Sequence, residues 1–141
     1  MKFLPNKIKL LKNFSSCVNW EEKYFYIIEL GENLPKAPKN IRIPKYLILG
    51  CQSRVWIMMT NKYNHVKLYG DSDALITKGL VSILIILYKG LTLKEIIDFE
   101  ISSFLNILSL NKYLSKSRSQ GLLSIIENIQ LQAHNLINKK F

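Results

Sequence analysis

Residues 54–88 read RVWIMMTNKYNHVKLYGDSDALITKGLVSILIILY. The run from Arg54 to Thr60 is apolar at successive positions, Val55 through Met59, which is the pattern of a strand buried on both faces. Residues 65–69 alternate instead, with Val66 and Leu68 on one side, so one face of this second strand is open. Asn61 to Asn64 is a hairpin-type connection, and the two strands are therefore expected to be antiparallel. Gly70-Asp71-Ser72-Asp73 ends the sheet and reads as the cap of a helix running to about Tyr88, since short polar side chains satisfy the free amides of a first helical turn. That helix is apolar nearly all round, which marks it as the central one.

Upstream of the hairpin, residues 46–49 predict a short third strand, and residues 35–45, which hold three of the four prolines, predict a surface crossing without a ladder. Pro5 opens a first helix to about Ser16. Asn19 starts a second, with Glu22 at the capping-box offset, Trp20, Tyr24, Ile27 and Ile28 on one face, and Gly31 and Pro35 closing it. Downstream, Gly90 breaks the chain and Thr92 with Glu95 opens a short helix to about Phe99. Another covers residues 103–110. The last begins near residues 115–117 and carries Leu122, Ile125, Ile126, Ile129, Ala133, Leu136 and Ile137 on one stripe. The expected architecture is one α+β domain over residues 1–141, a small three-stranded antiparallel sheet covered by helices.

A chain of 141 residues, 48% of them hydrophobic, is the size of one domain and apolar enough for a sizeable core. The formal charge of +10 raises the question of a polyanionic partner. The cations are spread from Lys2 to Lys140, almost all are Lys, Arg42, Arg54 and Arg118 are the only arginines, and no run exceeds the pair Lys139-Lys140. That distribution lacks the concentrated basic face of a nucleic-acid-binding module, so no nucleic-acid partner is expected. The apolar stretch at residues 79–88 is far short of the roughly 18 residues that a membrane span takes, and Pro5-Asn6-Lys7 interrupts the apolar residues at the N-terminus. Neither membrane insertion nor export is expected. Cys17 and Cys51 lie far apart, which is neither a disulfide framework nor a CxxC site, and a reducing cytoplasm fits them. His65 and His134 have no Cys or carboxylate at ligand spacing, so no metal is expected.

The stretch Gly50-Cys51-Gln52-Ser53-Arg54-Val55-Trp56 puts a thiol on a glycine-led turn ahead of the first strand. Gly50 can take backbone angles closed to other residues, and Gln52 and Ser53 are polar neighbours that can bond a thiolate without walling it in. From the residues alone, a reactive thiol and a small buried hydrophobe both fit Cys51. Cys17 has no such escort and reads as packing. Arg118, one turn ahead of Leu122, can project from its helix start toward the body of the domain or simply snorkel. Arg54 can bond Asp71 or Asp73, or sit in solvent. Trp20 and Trp56 read as core.

Four segments together, the Cys51 loop, Asn19-Trp20-Glu21-Glu22-Lys23-Tyr24, Gly70-Asp71-Ser72-Asp73-Ala74 and Ser117-Arg118-Ser119-Gln120-Gly121, resemble the SufE family in order and spacing over nearly the whole chain. The resemblance implies a SufE/IscU-like fold and a sulfur acceptor without a cofactor of its own, an accessory protein rather than an enzyme. It implies that Cys51 takes sulfane sulfur as a persulfide from a SufS-type pyridoxal-phosphate cysteine desulfurase, and that a SufBCD-type iron-sulfur scaffold receives it. It implies a homodimer. Gly50, Gln52, Ser53, Arg118, Asp71 and Asp73 are the supporting candidates, the two aspartates bracing the Cys51 loop or meeting the desulfurase. The related CsdE family shares the Gly-Cys loop, but Gln52-Ser53 and Asp73-Ala74 look more like SufE proper. A cluster scaffold of the IscU type is the rival of another class, and it would need several Cys or His ligands where Cys51 stands alone.

Overall fold

A computed structural model describes residues 3–139. Two helices, α1 (Lys7–Ser16) and α2 (Trp20–Glu32), lead to a single 3-10 turn at Pro44–Tyr46 and a hairpin of β1 (Val55–Lys62) and β2 (His65–Ser72). Five helices follow: α3 (Leu75–Tyr88), α4 (Leu93–Asp98), α5 (Ser102–Ile107), α6 (Leu110–Tyr113) and α7 (Lys116–Asn138). The strands pair antiparallel with Val55 opposite Ser72 and Lys62 opposite His65, longer than the alternation suggests. Only Tyr63 and Asn64 lie outside the ladder. Their φ values of 54° and 63° fit a two-residue turn with left-handed backbone at both positions, whose twist matches that of the strands.

The sheet has two strands, not the three expected from the sequence. Pro44 starts the 3-10 turn over residues where a strand was expected to begin, and Gly50, at φ 91°, turns the chain away soon afterwards. What remains is one isolated bridge, Leu47 to Trp56, with Ile48 N–H donating to Val55 O at 2.8 Å. Beyond it the free edge of β1 is met by a side chain of α7. Gln132 accepts from Met59 N–H at 3.1 Å and donates to Ile57 O at 3.0 Å, satisfying backbone groups that a third strand would otherwise bond.

Both faces of β1 are buried, as its sequence requires. Val55, Ile57 and Met59 enter the main core, whereas Trp56 and Met58 join Ile41 and Tyr46 in a smaller cluster beneath the proline-rich crossing. α3 is buried from Gly79 through Tyr88 and packs along α2 at backbone distance: a Cβ on Gly79 would stand 2.1 Å from Ile27 O. Gly31 faces the same seam, so it serves close approach inside α2 rather than closing the helix. α7 lays Leu122, Ile125, Ile126, Ile129 and Ala133 on the core, while Ile137, at 43% exposure, falls off the stripe.

Local signals set most helix starts. Thr92 and Glu95 form the complete capping box, Asn19 accepts from Glu22 N–H at 2.9 Å, and Ser115 accepts from Arg118 N–H at 3.2 Å. Glu22 reaches back to Val18 N–H rather than to Asn19. The helix expected over residues 103–110 is two short ones, broken at Ser109, whose φ is 59°. Among the described residues no helix is long and apolar enough to cross a membrane.

Candidate functional site

The loop between Ile48 and β1 carries Cys51 against the first turns of α7. Gly50 packs so near α7 that a Cβ on it would stand 2.8 Å from Ser124 Oγ, and its φ of 91° lies in the region open to glycine. Cys51 follows, half-buried, with its thiol directed to Gly121 O at 3.6 Å. Gly121 meets the sulfur with its backbone, and a Cβ there would add only ordinary van der Waals contact, 3.7 Å from Cys51 Sγ. A cavity of about 60 Å³ adjoins the thiol, lined by Cys51, Gln52 and Ser53 on the loop side, Ser117 and Arg118 at the start of α7, and apolar Leu80 and Leu122.

The loop is fastened at both ends. Ser117 Oγ donates to Gln52 Oε1 at 2.8 Å. At the far end, Arg54 N–H and Nε each donate to the Asp73 carboxylate at 3.1 Å, and Ser72 Oγ donates to Arg54 O at 2.8 Å. Asp71 is held by Arg42 Nε at 2.8 Å and lies 3.7 Å from Lys78 Nζ. Both guanidinium groups lie over the Trp56 ring, Arg42 at 4.8 Å and Arg54 at 5.7 Å from its centroid.

This geometry corrects the capping role expected of residues 71–73. The N-cap of α3 is Ala74, with no side-chain bond of its own, and Asp71 and Ser72 belong to β2. Asp73 braces the loop through Arg54, and Asp71 binds Arg42, which is not among the site candidates the sequence offers. Burial works against ionisation of Asp71, but the Arg42 bond, the Ser72 amide and the nearby Lys78 outweigh it and hold the carboxyl below its usual range. The bond to Asp71 correspondingly raises Arg42.

Burial alone pushes the Cys51 thiol up. The resting group is therefore a protonated thiol at neutral pH, with Arg118, which lines the same cavity, turned to solvent rather than buried beside the sulfur. Cys17 is also half-buried, its thiol directed to Asn13 O at 3.5 Å, with burial and then Glu22 raising its pKa. Trp56 is core at 5% exposure, whereas Trp20 is only half-buried and stacks on Tyr113 at 4.8 Å. His65 and His134 are exposed, and among the described residues no three His, Cys, Asp or Glu side chains converge on a possible metal position. Gly121, Ser124 and Arg42 shape the site without a local signal that they would do so; only Gly121 lies within a segment that the family resemblance singles out.

Residues 8–133 match the SufE family, described as an Fe-S metabolism associated domain. A solution structure of a hypothetical protein from Thermus thermophilus superposes with a TM-score of 0.73 at 18% identity, covering 97% of this chain and 99% of that one. At that identity the likeness speaks for the fold. The family match spans most of the chain, and the protein belongs to the SufE family, the sulfur acceptors of iron-sulfur cluster assembly. Members of this family work as sulfur carriers with a desulfurase and scaffold system and are not themselves enzymes.

Proposed function

We propose that Cys51 is the residue on which this protein carries sulfur. The observation that supports it most directly is the half-buried Cys51 thiol on a braced loop, beside a cavity of about 60 Å³. A cavity needs only about 10–15 Å³ of such volume to hold a water, so a second sulfur atom fits beside the first. In the step itself, Cys51 gives up its proton and the thiolate attacks the terminal sulfur of a persulfide on a cysteine desulfurase. A sulfur-sulfur bond forms at Cys51, the bond within the desulfurase persulfide breaks, and the desulfurase cysteine leaves as a thiolate. No external oxidant or reductant enters.

Because burial raises the thiol's pKa, acceptance needs the loop to move toward solvent or the partner to supply a base or a cation. Arg118 is the one cation among the residues that line the cavity, and it can serve in that role once the thiolate forms. Exposed Leu49, beside Gly50, and exposed Leu123, beside Leu122, give the surroundings apolar surface for a partner. The reading extends to a SufS-type pyridoxal-phosphate desulfurase as donor, a SufBCD-type scaffold as acceptor, a homodimeric state and a cytoplasmic setting that keeps the thiol reduced.

The test is intact-protein mass after incubation with a desulfurase and cysteine. Wild type and Cys17→Ser should gain a sulfur that reductant removes, Cys51→Ser should fold and gain none, and Arg118→Ala should fold and gain it more slowly. Labile sulfur on Cys51→Ser, or none on wild type with an active cognate desulfurase, would refute the assignment.

A further inference from the structure

With Cys51 as the sulfur carrier, the reading on which this inference rests, the second sulfur is bonded to Cys51 Sγ and stands about 2 Å from it. The adjoining cavity of about 60 Å³ has three walls: the loop at residues 51–53, the start of α7, and a wall of α3 made by Thr77 and Leu80. Leu80, Leu122 and Ile125 are buried and make its floor apolar. An ionised outer sulfur there meets the same burial that pushes the Cys51 thiol up. A hydrogen-bond donor in the lining offsets that cost.

The polar residues of the lining are not equally free to give one. Ser117 Oγ already donates to Gln52 Oε1 at 2.8 Å, and Gln52 and Arg118 are exposed. Ser53 shares the loop of Cys51 and moves whenever that loop moves. Thr77 is half-buried and stands on α3, which is fixed in the core from Gly79 through Tyr88. Threonine hydroxyls inside helices commonly bond a carbonyl one turn back, but the first bond of α3 runs from Lys78 N–H to Ala74 O, so no helical carbonyl precedes Thr77. Nearby, Ala74 N–H donates to Ser72 Oγ at 3.2 Å and Ser82 Oγ donates to Lys78 O at 3.0 Å; among the described residues the Thr77 hydroxyl takes part in no hydrogen bond. The charged groups around it are otherwise engaged, Lys78 lying 3.7 Å from Asp71 and Asp73 being bonded to Arg54, which leaves Arg118 as the one charged residue of the lining.

We propose that Thr77 binds the transferred sulfur: its hydroxyl donates a hydrogen bond to the ionised outer sulfur of the Cys51 persulfide and favours that form. The resting thiol, directed to Gly121 O on α7, makes no use of it.

The experiment forms the persulfide on the full chain in a Cys17→Ser background, once with a desulfurase and cysteine and once with inorganic polysulfide, and follows its alkylation by iodoacetamide across pH by intact mass. Thr77→Val keeps the side chain's shape and removes the hydroxyl, so it should raise the inflection of the persulfide by about one pH unit, the low end of the worth of a hydrogen bond to a charged group. The inflection of the unloaded Cys51 thiol should stay at its parental value. Thr77→Ser, which keeps the hydroxyl, should hold both inflections at the parental values. Thr77→Ala removes the hydroxyl with a better helix former and should repeat the persulfide shift even where Thr77→Val fails to fold. The proposal is overturned by a parental persulfide inflection in Thr77→Val or Thr77→Ala, by equal shifts of thiol and persulfide, or by a shift in Ser53→Ala in place of the Thr77 variants. A parent that gains no sulfur from an active cognate desulfurase refutes the carrier reading instead, and the polysulfide-loaded protein still decides the role of Thr77.

Discussion

Replacing Gly50 with alanine tests how the Cys51 loop is held. Two costs follow from the coordinates. A φ of 91° places alanine in a backbone region that L-residues avoid, a penalty of about 1–2 kcal/mol. The new Cβ would also stand 2.8 Å from Ser124 Oγ, and that hydroxyl cannot move freely because it donates to Gln120 O at 3.2 Å. Displacing it adds the worth of one exchanged hydrogen bond, about 1 kcal/mol. Gly50→Ala should therefore lose about 2–3 kcal/mol in urea unfolding, measured in a Cys17→Ser background so that Cys51 is the one thiol. Adding Ser124→Ala should recover the steric part and leave the backbone part. A loop pushed off α7 also uncovers Cys51, so a disulfide reagent should react faster with Gly50→Ala than with its parent. A variant within about 0.5 kcal/mol of its parent, or one rescued fully by Ser124→Ala, would refute the claim that the left-handed turn holds the loop.

Three further outcomes follow from burial and close packing. Alkylation of Cys51, again in Cys17→Ser, should rise with pH through an inflection above the roughly 8.5 of a free thiol, and an inflection at or below that value would contradict the burial argument. The folded chain keeps this proton at pH values where the unfolded chain has lost it, so the contribution to stability is present below the unfolded pKa and lost as pH rises toward the folded one; Cys51→Ser should flatten that alkaline decline. Gly79→Ala should be severely destabilised, on the order of 3–5 kcal/mol, although alanine is better than glycine in a helix by about 1 kcal/mol. Its Cβ would stand 2.1 Å from the backbone oxygen of Ile27, which cannot rotate away as a side chain can. Near-parental unfolding of Gly79→Ala would show that α2 and α3 separate at little cost.

The features legible in the sequence are those whose physics is local. The apolar run of β1 and the alternation of β2 with its turn residues announced a hairpin, and Asn19, Thr92 with Glu95, and Ser115 each sit a few residues from the amides they cap. The glycine ahead of Cys51 announced a turn for the same reason: φ is a property of one residue. The third strand is cut short by the turns at Pro44 and Gly50, and no pattern within residues 46–49 could report that the edge of β1 left free is completed by Gln132, a residue more than 70 positions along the chain. Asp71 and Asp73 stand next to a helix start, where a local rule makes them caps, yet Arg42 and Arg54 reach them across the fold and bond their carboxylates. Gly31 looks like a helix stop until α3 is packed against it, and nothing around Gly121 announces that its carbonyl oxygen meets the Cys51 thiol. Caps, turns and periodicity are energies of neighbouring residues and can be read along the chain. Which backbone is bare, which edge is satisfied and which carboxylate finds a cation depend on what the fold brings within a few ångströms, and only the tertiary structure decides that.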